Sequence, residues 1–284
     1  MLQTTTNQLF SSAAADLILR TSDCVDFHVF SAILAEASPF FADLLSLPQP
    51  TSTTAQPSTL LPIRTPLSHV IDVTEMADVL EPLLGFVYPR PDPPIDKLEN
   101  LRPVIAAAFK YDCTAAITSL RRLLVSPQFL EKEPTRVYAI ACMHELQEEA
   151  KLASLHTLKL DLLAGPLPAE LKYISAFDYH RLLQLHKERR ERACELLVRP
   201  EEVRCANCTA VQFGKPCIPK WWDDFETRAK EELRKHPVSD TIFSLQFLSQ
   251  SATAGCPRCG TSLLASHDAL TKLKASIDSL PSTV

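Results

Sequence analysis

Residues 16–47 read Asp16-Leu-Ile-Leu-Arg20, Thr-Ser-Asp-Cys24, Val25-Asp-Phe-His-Val-Phe30, then Ser31-Ala-Ile-Leu-Ala-Glu-Ala-Ser38-Pro-Phe-Phe41-Ala-Asp-Leu-Leu45-Ser-Leu47. Two short β-prone runs around a polar turn predict a hairpin. The period then changes, with Ile33, Leu34, Ala37, Phe40, Phe41, Leu44 and Leu45 recurring at helical spacing. Ser38-Pro39 interrupts them. Serine at an N-cap followed by proline at N1 starts a helix, so the stretch is two short helices or one bent one.

Working outward, Ser46–Ser68 holds five prolines, nine Ser/Thr and no glycine, the composition of a mobile surface loop. Val70–Val73 is a short strand. Thr74 is placed to cap a helix with the stripe Val79, Leu80, Leu83, Leu84 and Val87, which ends at Tyr88-Pro89. Pro89-Arg-Pro-Asp-Pro-Pro94 is a stiff connector. From Leu98 to Arg199 the periodic signals are helical, over about 98–111, 114–125, 134–145, 147–160, 168–175 and 177–199. Hairpin, helices, one strand and then only helices is not the alternation of a doubly wound sheet. It predicts an α+β fold, a small β-sheet with clustered helices, followed by an all-α extension and a cysteine-bearing C-terminal helical region.

The 284 residues, 46% of them apolar and 22% charged, suffice for two or three small domains. A net charge of −5 argues against a chain built chiefly to grip nucleic acid or an acidic membrane. The five glycines do not have the GxGxxG spacing, and there is no GxxxxGK[ST] loop, which removes those routes to nucleotide chemistry. The N-terminus lacks a basic n-region and an apolar h-region, and no apolar run approaches the roughly 20 residues of a bilayer span. The expectation is an intracellular protein, nuclear or cytoplasmic, whose nine cysteines are free thiols or metal ligands.

The run from Asp16 to Phe41 resembles the opening of a BTB/POZ domain. Val79-Leu-Glu-Pro-Leu-Leu-Gly-Phe-Val-Tyr88 resembles that family's later helix, and Ala106-Ala-Ala-Phe-Lys-Tyr-Asp112 with Thr114–Leu124 its closing helical pair. The likeness covers about residues 14–126. Phe129–Cys142 and Ile174–Leu183 are similar to the BACK-like helical region that follows the domain in fungal proteins of this kind, giving an extension at 127–200 and a tail at 201–284. The resemblance implies a non-enzymatic protein–protein interaction module, often a homodimer. Phe30 stands where the family commonly has histidine, and either residue serves core packing. Cullin-3 adaptors of the family carry a hydrophobic-x-acidic motif before the strand at Val70, whereas residues 44–71 contain no Asp or Glu. Val73-Thr-Glu75 fits by letters but belongs to the start of the next helix. The segment before Asp16 is short and polar and offers little for strand exchange between copies.

Cys205-Ala-Asn-Cys208 and Cys256-Pro-Arg-Cys259-Gly260 carry the most specific chemical signal. Each spacing lets two thiolates reach one ion from a tight turn, and glycine after the second cysteine suits a positive φ. Four thiolates close a tetrahedral structural zinc site across the 47 residues between the pairs. Cys217 or His236 could replace one ligand; reduced turn cysteines and a redox pair are the alternatives. Other constellations fall short. His144-Glu145-Leu-Gln-Glu148 has glutamate where a zincin needs its second histidine. His180 and His186, six apart on a helix, cannot share a ligand. Lys187-Glu-Arg-Arg-Glu-Arg192 reads as a solvated, ion-paired face. The expected function is a self-associating interaction scaffold. A chromatin or transcriptional regulator contacting nucleic acid through its tail, or a cullin-3 substrate adaptor, are the alternatives.

Overall fold

The computed structural model describes residues 4–47, 69–208 and 218–284, and the chain falls into two compact units, Met1–Phe129 and Leu130–Val284. Most of the expected Pro/Ser/Thr loop, and Cys217, lie outside the described residues.

In the first unit β1 (Thr5–Ser11), β2 (Leu17–Arg20), β3 (Val25–Val29) and β4 (His69–Asp72) form one mixed sheet in the order β1-β3-β2-β4. The predicted hairpin is β2–β3, antiparallel, with Leu17 opposite Val29 and Arg20 opposite Asp26. Strand alternation buries Leu17, Leu19, Phe27 and Val29 on one face. On the other, Arg20 and Asp26 join across the ladder through bonds of 2.7 and 3.0 Å. β4 runs parallel to β2, with Ile18 opposite Val70. β1 runs parallel to β3 from a segment whose polar composition gave no strand signal. An edge strand needs only backbone partners and an anchor, and here Phe10 supplies the anchor, buried against Phe27 and Tyr88.

The helices of this unit are α1 (Ser31–Ala37), α2 (Pro39–Ser46), α3 (Ala77–Val87), α4 (Leu98–Lys110) and α5 (Thr114–Leu124), with the single turn α6 at Pro127–Leu130. Ser38 is fully buried between α1 and α2; its Oγ accepts from Phe41 N at 3.1 Å and donates to the Tyr111 carbonyl. Asp16 accepts from Ser31 N at 2.8 Å and from the Ser31 hydroxyl, so a residue before β2 caps α1. Burial acts to raise the Asp16 carboxyl, but these bonds outweigh it and hold it below its ordinary value. The cap expected from Thr74 is replaced. α3 begins at Ala77, whose N–H donates to Asp23 Oδ1 at 3.0 Å from the β2–β3 turn, while Lys110 Nζ takes the Thr74 hydroxyl at 2.6 Å. Leu80, Leu83, Leu84 and Phe86 of α3 pack with Leu98, Leu101, Val104 and Ile105 of α4 in the core.

The second unit is helical: α7 (Pro134–Met143), α8 (Gln147–Thr157), a 3-10 turn at Ala169–Tyr173, α9 (Ala176–Leu196), α10 (Lys220–Lys235), α11 (Ser239–Ile242), α12 (Leu245–Ala254), α13 (Cys259–Ala265) and α14 (His267–Asp278). α10 buries Trp221, Trp222, Phe225, Ala229 and Leu233 along one face. Asp224–Arg228 and Glu226–Lys230 pair at i,i+4 on the other. The reading of Lys187–Arg192 as a solvated face holds at Lys187, Glu188, Glu191 and Arg192; Arg190 is half-buried, and Arg189 is the clear exception. Its guanidinium is buried and donates to the carbonyls of Pro237, Leu280, Pro281 and Ile277, fastening the C-terminal end of α14. The buried stripe of α9 is therefore Leu182, Leu185, His186, Arg189 and Ala193.

Two predictions follow from the packing. Ser38→Ala removes the α2 cap and leaves the Tyr111 carbonyl without its donor, costing about 2 kcal/mol in urea unfolding of the full chain. His186 is buried with Nε2 at 3.0 Å from Thr157 Oγ1; burial, with Arg190 adding and Asp161 opposing, lowers it to about 4. The unfolded chain takes that proton near 6.5 and the fold does not, so stability falls as pH drops from about 6.5 toward 4, by on the order of 3 kcal/mol. Replacing His186 with Gln should flatten that slope; an unchanged slope would refute the assignment.

Candidate functional site

The four cysteines singled out in the sequence converge. The sulfurs of Cys205, Cys208, Cys256 and Cys259 all lie within 4.8 Å of one another. Each pair sits in the same kind of turn. Cys208 N donates to Cys205 O at 3.1 Å, and Cys259 N donates to Cys256 O at 2.8 Å. Between the turns, Cys205 and Cys256 sulfurs are 3.5 Å apart, Cys208 and Cys259 3.7 Å, and Cys205 and Cys259 4.0 Å. Cys205 and Cys259 are buried in the α10 core, and Cys208 and Cys256 are half-buried.

The surroundings hold the two turns in register. Trp221 Nε1 donates to Ser262 Oγ at 2.9 Å, and Ser262 Oγ donates to Arg204 O at 2.6 Å. This relay joins α10, α13 and the backbone just before the first pair. The glycine that matters is not the one expected. Gly260 lies in the first turn of α13, where a side chain would meet nothing within 4 Å. At Gly255 a Cβ would fall 2.5 Å from Cys259 Sγ and 2.6 Å from its Cβ. Gly255 makes room for the sulfur with an ordinary negative φ of −87°.

Crowding sets the thiols against one another. Burial acts to raise the Cys256 thiol, but the Arg258 N–H and the other three sulfurs outweigh it and bring it down to about 7. Burial pushes Cys259 up to about 12 and also raises Cys208. Four soft sulfur donors on one point are compatible with binding a metal ion, which would favour deprotonation of them all. Such a set fills a tetrahedral shell and leaves no position for a reacting water.

The other sequence candidates lie apart from the cage. His236 Nδ1 is 2.8 Å from Glu232 Oε1, one turn back along α10, and does not join the four sulfurs. Cys217 is outside the described residues. His144 is half-buried at the end of α7, next to Glu145 at φ 56°, and Glu148 is exposed on α8, paired to Lys151. His180 is exposed while His186 is packed inside. Glu75, the acidic letter of Val73-Thr-Glu75, accepts from Lys110 Nζ at 2.7 Å and from the Tyr111 hydroxyl ahead of α3. Ser262 escaped the sequence reading because its role exists only once Trp221 and Arg204 reach it; Gly255 acts within the second turn, four residues before Cys259, and its place ahead of Cys256 was the only local hint.

In the first unit the sheet ends in two edge strands. Leu9 on β1 is 59% exposed, Val70 on β4 44%, and Phe40 on α2 41%. A groove of about 810 Å³ runs between α3, α4 and the proline connector, its lining including Phe10, Pro82, Arg90, Pro93 and Pro103. Among the described residues no helix is long and apolar enough to cross a membrane.

Residues 6–128 match the family model of the BTB/POZ domain. No curated protein matches the chain.

Replacing Ser262 with Ala strips the buried Trp221 N–H of its acceptor, at a cost of about 1–3 kcal/mol. Tryptophan fluorescence should report it directly in denaturant titrations, because Trp221 and Trp222, the chain's two tryptophans, both sit in this core.

Proposed function

We propose that this chain, whose residues 6–128 form a BTB/POZ domain, is a non-enzymatic interaction scaffold that pairs with a second copy of itself through that domain. A BTB/POZ domain is a protein-interaction module, and such domains commonly self-associate. In this reading the docking domain, expected at 14–126, begins earlier with β1 and covers 6–128; the helices after it to residue 200 are a BACK-like extension, and 201–284 are a cysteine-bearing tail. The protein works inside the cell, in the nucleus or cytoplasm, where its cysteines stay reduced.

The observation that carries the reading is the sheet with both edges open. Among the described residues β1 pairs only with β3, and β4 only with β2. Unpaired strand edges bearing exposed apolar side chains are templates for another chain. Leu9, Val70 and Phe40 supply such surface at the two edges and on α2. β1 also shows that the polar N-terminal segment builds sheet, which makes it available for pairing between copies.

Neither alternative gains comparable support. The stretch 44–71 offers no acidic residue for a cullin-3 motif, and the net charge of −5 opposes a tail that grips nucleic acid.

The full chain should sediment at twice 31.6 kDa at micromolar concentration. Leu9→Lys combined with Phe40→Glu should shift it toward monomer with an unchanged circular-dichroism spectrum. A clean monomer for the unaltered chain at high concentration would remove self-association from the proposal. Pull-down of the tagged full chain, compared with one lacking 201–284, should recover self-copies in both cases. Dominance of cullin or of DNA-bound complexes would favour an alternative.

A further inference from the structure

The sulfur cage has dimensions that an interaction domain does not require, and they constrain what fills it. We propose that Cys205, Cys208, Cys256 and Cys259 bind one zinc ion as a closed structural centre, and that this ion seats the N-terminus of α10 and the paired tryptophans behind it.

Four observations carry the assignment. First, sulfurs about 2.3 Å from a tetrahedral zinc lie about 3.8 Å from one another. The separations between Cys205 and Cys256, Cys208 and Cys259, Cys256 and Cys259, and Cys205 and Cys259 are 3.5, 3.7, 3.7 and 4.0 Å. A disulfide would need about 2.0 Å, and an iron–sulfur cluster with several irons would spread the sulfurs further than a single ion does. Second, the pairs come together across a long stretch of chain, residues 209–255, and in the same turn geometry.

Third, the second layer points a donor at sulfur. Cys256 N donates to Cys259 Sγ at 3.2 Å. The start of α10 lies beside the cage, with Trp221 in the same buried core as Cys205 and Cys259. Lys220 and Trp221 are the first two residues of α10, a helix of 16 residues, and their N–H groups have no acceptor within the helix. A zinc bound by four thiolates carries a net charge of −2, and a helix N-terminus is where such charge is favoured. Fourth, Gly255 stands where a Cβ would collide with Cys259 Sγ. These observations are independent of whether the first unit self-associates.

The ion's role follows from what it touches. The two turns, the start of α10 and the Trp221–Ser262–Arg204 relay meet at one point. Without the ion, the sulfurs offer one another only weak hydrogen bonds to hold the turns. Zinc binding is then coupled to ordering of the core containing Trp221, Trp222 and Phe225.

The test uses the full chain purified without chelator. Elemental analysis should find one zinc per chain and little iron. Exchange with cobalt(II) should give the intense visible bands of a tetrahedral thiolate site. Removing zinc with a strong chelator should shift tryptophan emission to the red, and restoring zinc should reverse the shift. Cys208→Ser, chosen because Cys208 is half-buried, should lose the metal. Gly255→Ala should lower zinc retention severalfold while all four sulfurs remain. If the variants do not fold, the stoichiometry and cobalt spectrum of the unaltered chain decide the matter. Absence of zinc with all four thiols alkylating readily in the native protein would overturn the proposal. So would disulfides joining Cys205 to Cys256 and Cys208 to Cys259, or stoichiometric iron.

Discussion

A chain assembled from short helices has nearly as much helix end as helix body, and every end leaves backbone N–H or C=O groups in need of partners. That requirement organises both units. In the first, Asp16 reaches Ser31 N, Asp23 reaches Ala77 N, and Ser38 serves Phe41 N and Tyr111 O together. In the second, Arg189 satisfies carbonyls at the end of α14. Several of these partners come from a different element. Capping thereby becomes tertiary structure, and loss of one cap loosens two elements at once.

The two units meet this demand with different chemistry. The BTB/POZ unit uses carboxylates and a buried serine around an apolar core of leucine, valine and phenylalanine. Among the described residues its edge strands β1 and β4 each pair on one side only, and Leu9, Val70 and Phe40 are exposed. The helical unit concentrates its aromatics, with Trp221, Trp222 and Phe225 in mutual contact and Phe243 against Phe225, in the core that holds the four sulfurs. A core made from the short helices α11, α12, α13 and α14 gains little from helix propensity alone and depends on tertiary packing and cross-links.

Much of this was legible in local pattern. The β2–β3 hairpin, the helix break at Ser38-Pro39 and the boundaries of α4, α5 and α7 all follow from alternation, period and caps within a few residues. Where the reading went astray, the deciding partner was remote in sequence. Thr74 is a sound local cap, yet Asp23 won because the hairpin turn places a carboxylate there and Lys110 occupies the threonine hydroxyl. Arg189 sits inside a charged run that looks solvated, and only the approach of α14 gives it carbonyls to hold. β1 carries no alternation of its own, since its pairing with β3 rests on backbone groups that every residue shares.

The amino-acid order by itself determined the kind of fold, the identity of the interaction domain's opening and the four cysteines to watch, because period, turn chemistry and ligand spacing are short-range properties. Only the tertiary structure decided that the four sulfurs share one point, that Asp23 rather than Thr74 caps α3, and that β4 joins the sheet beside β2. Those facts depend on distances between segments dozens of residues apart, which packing sets and local pattern does not encode.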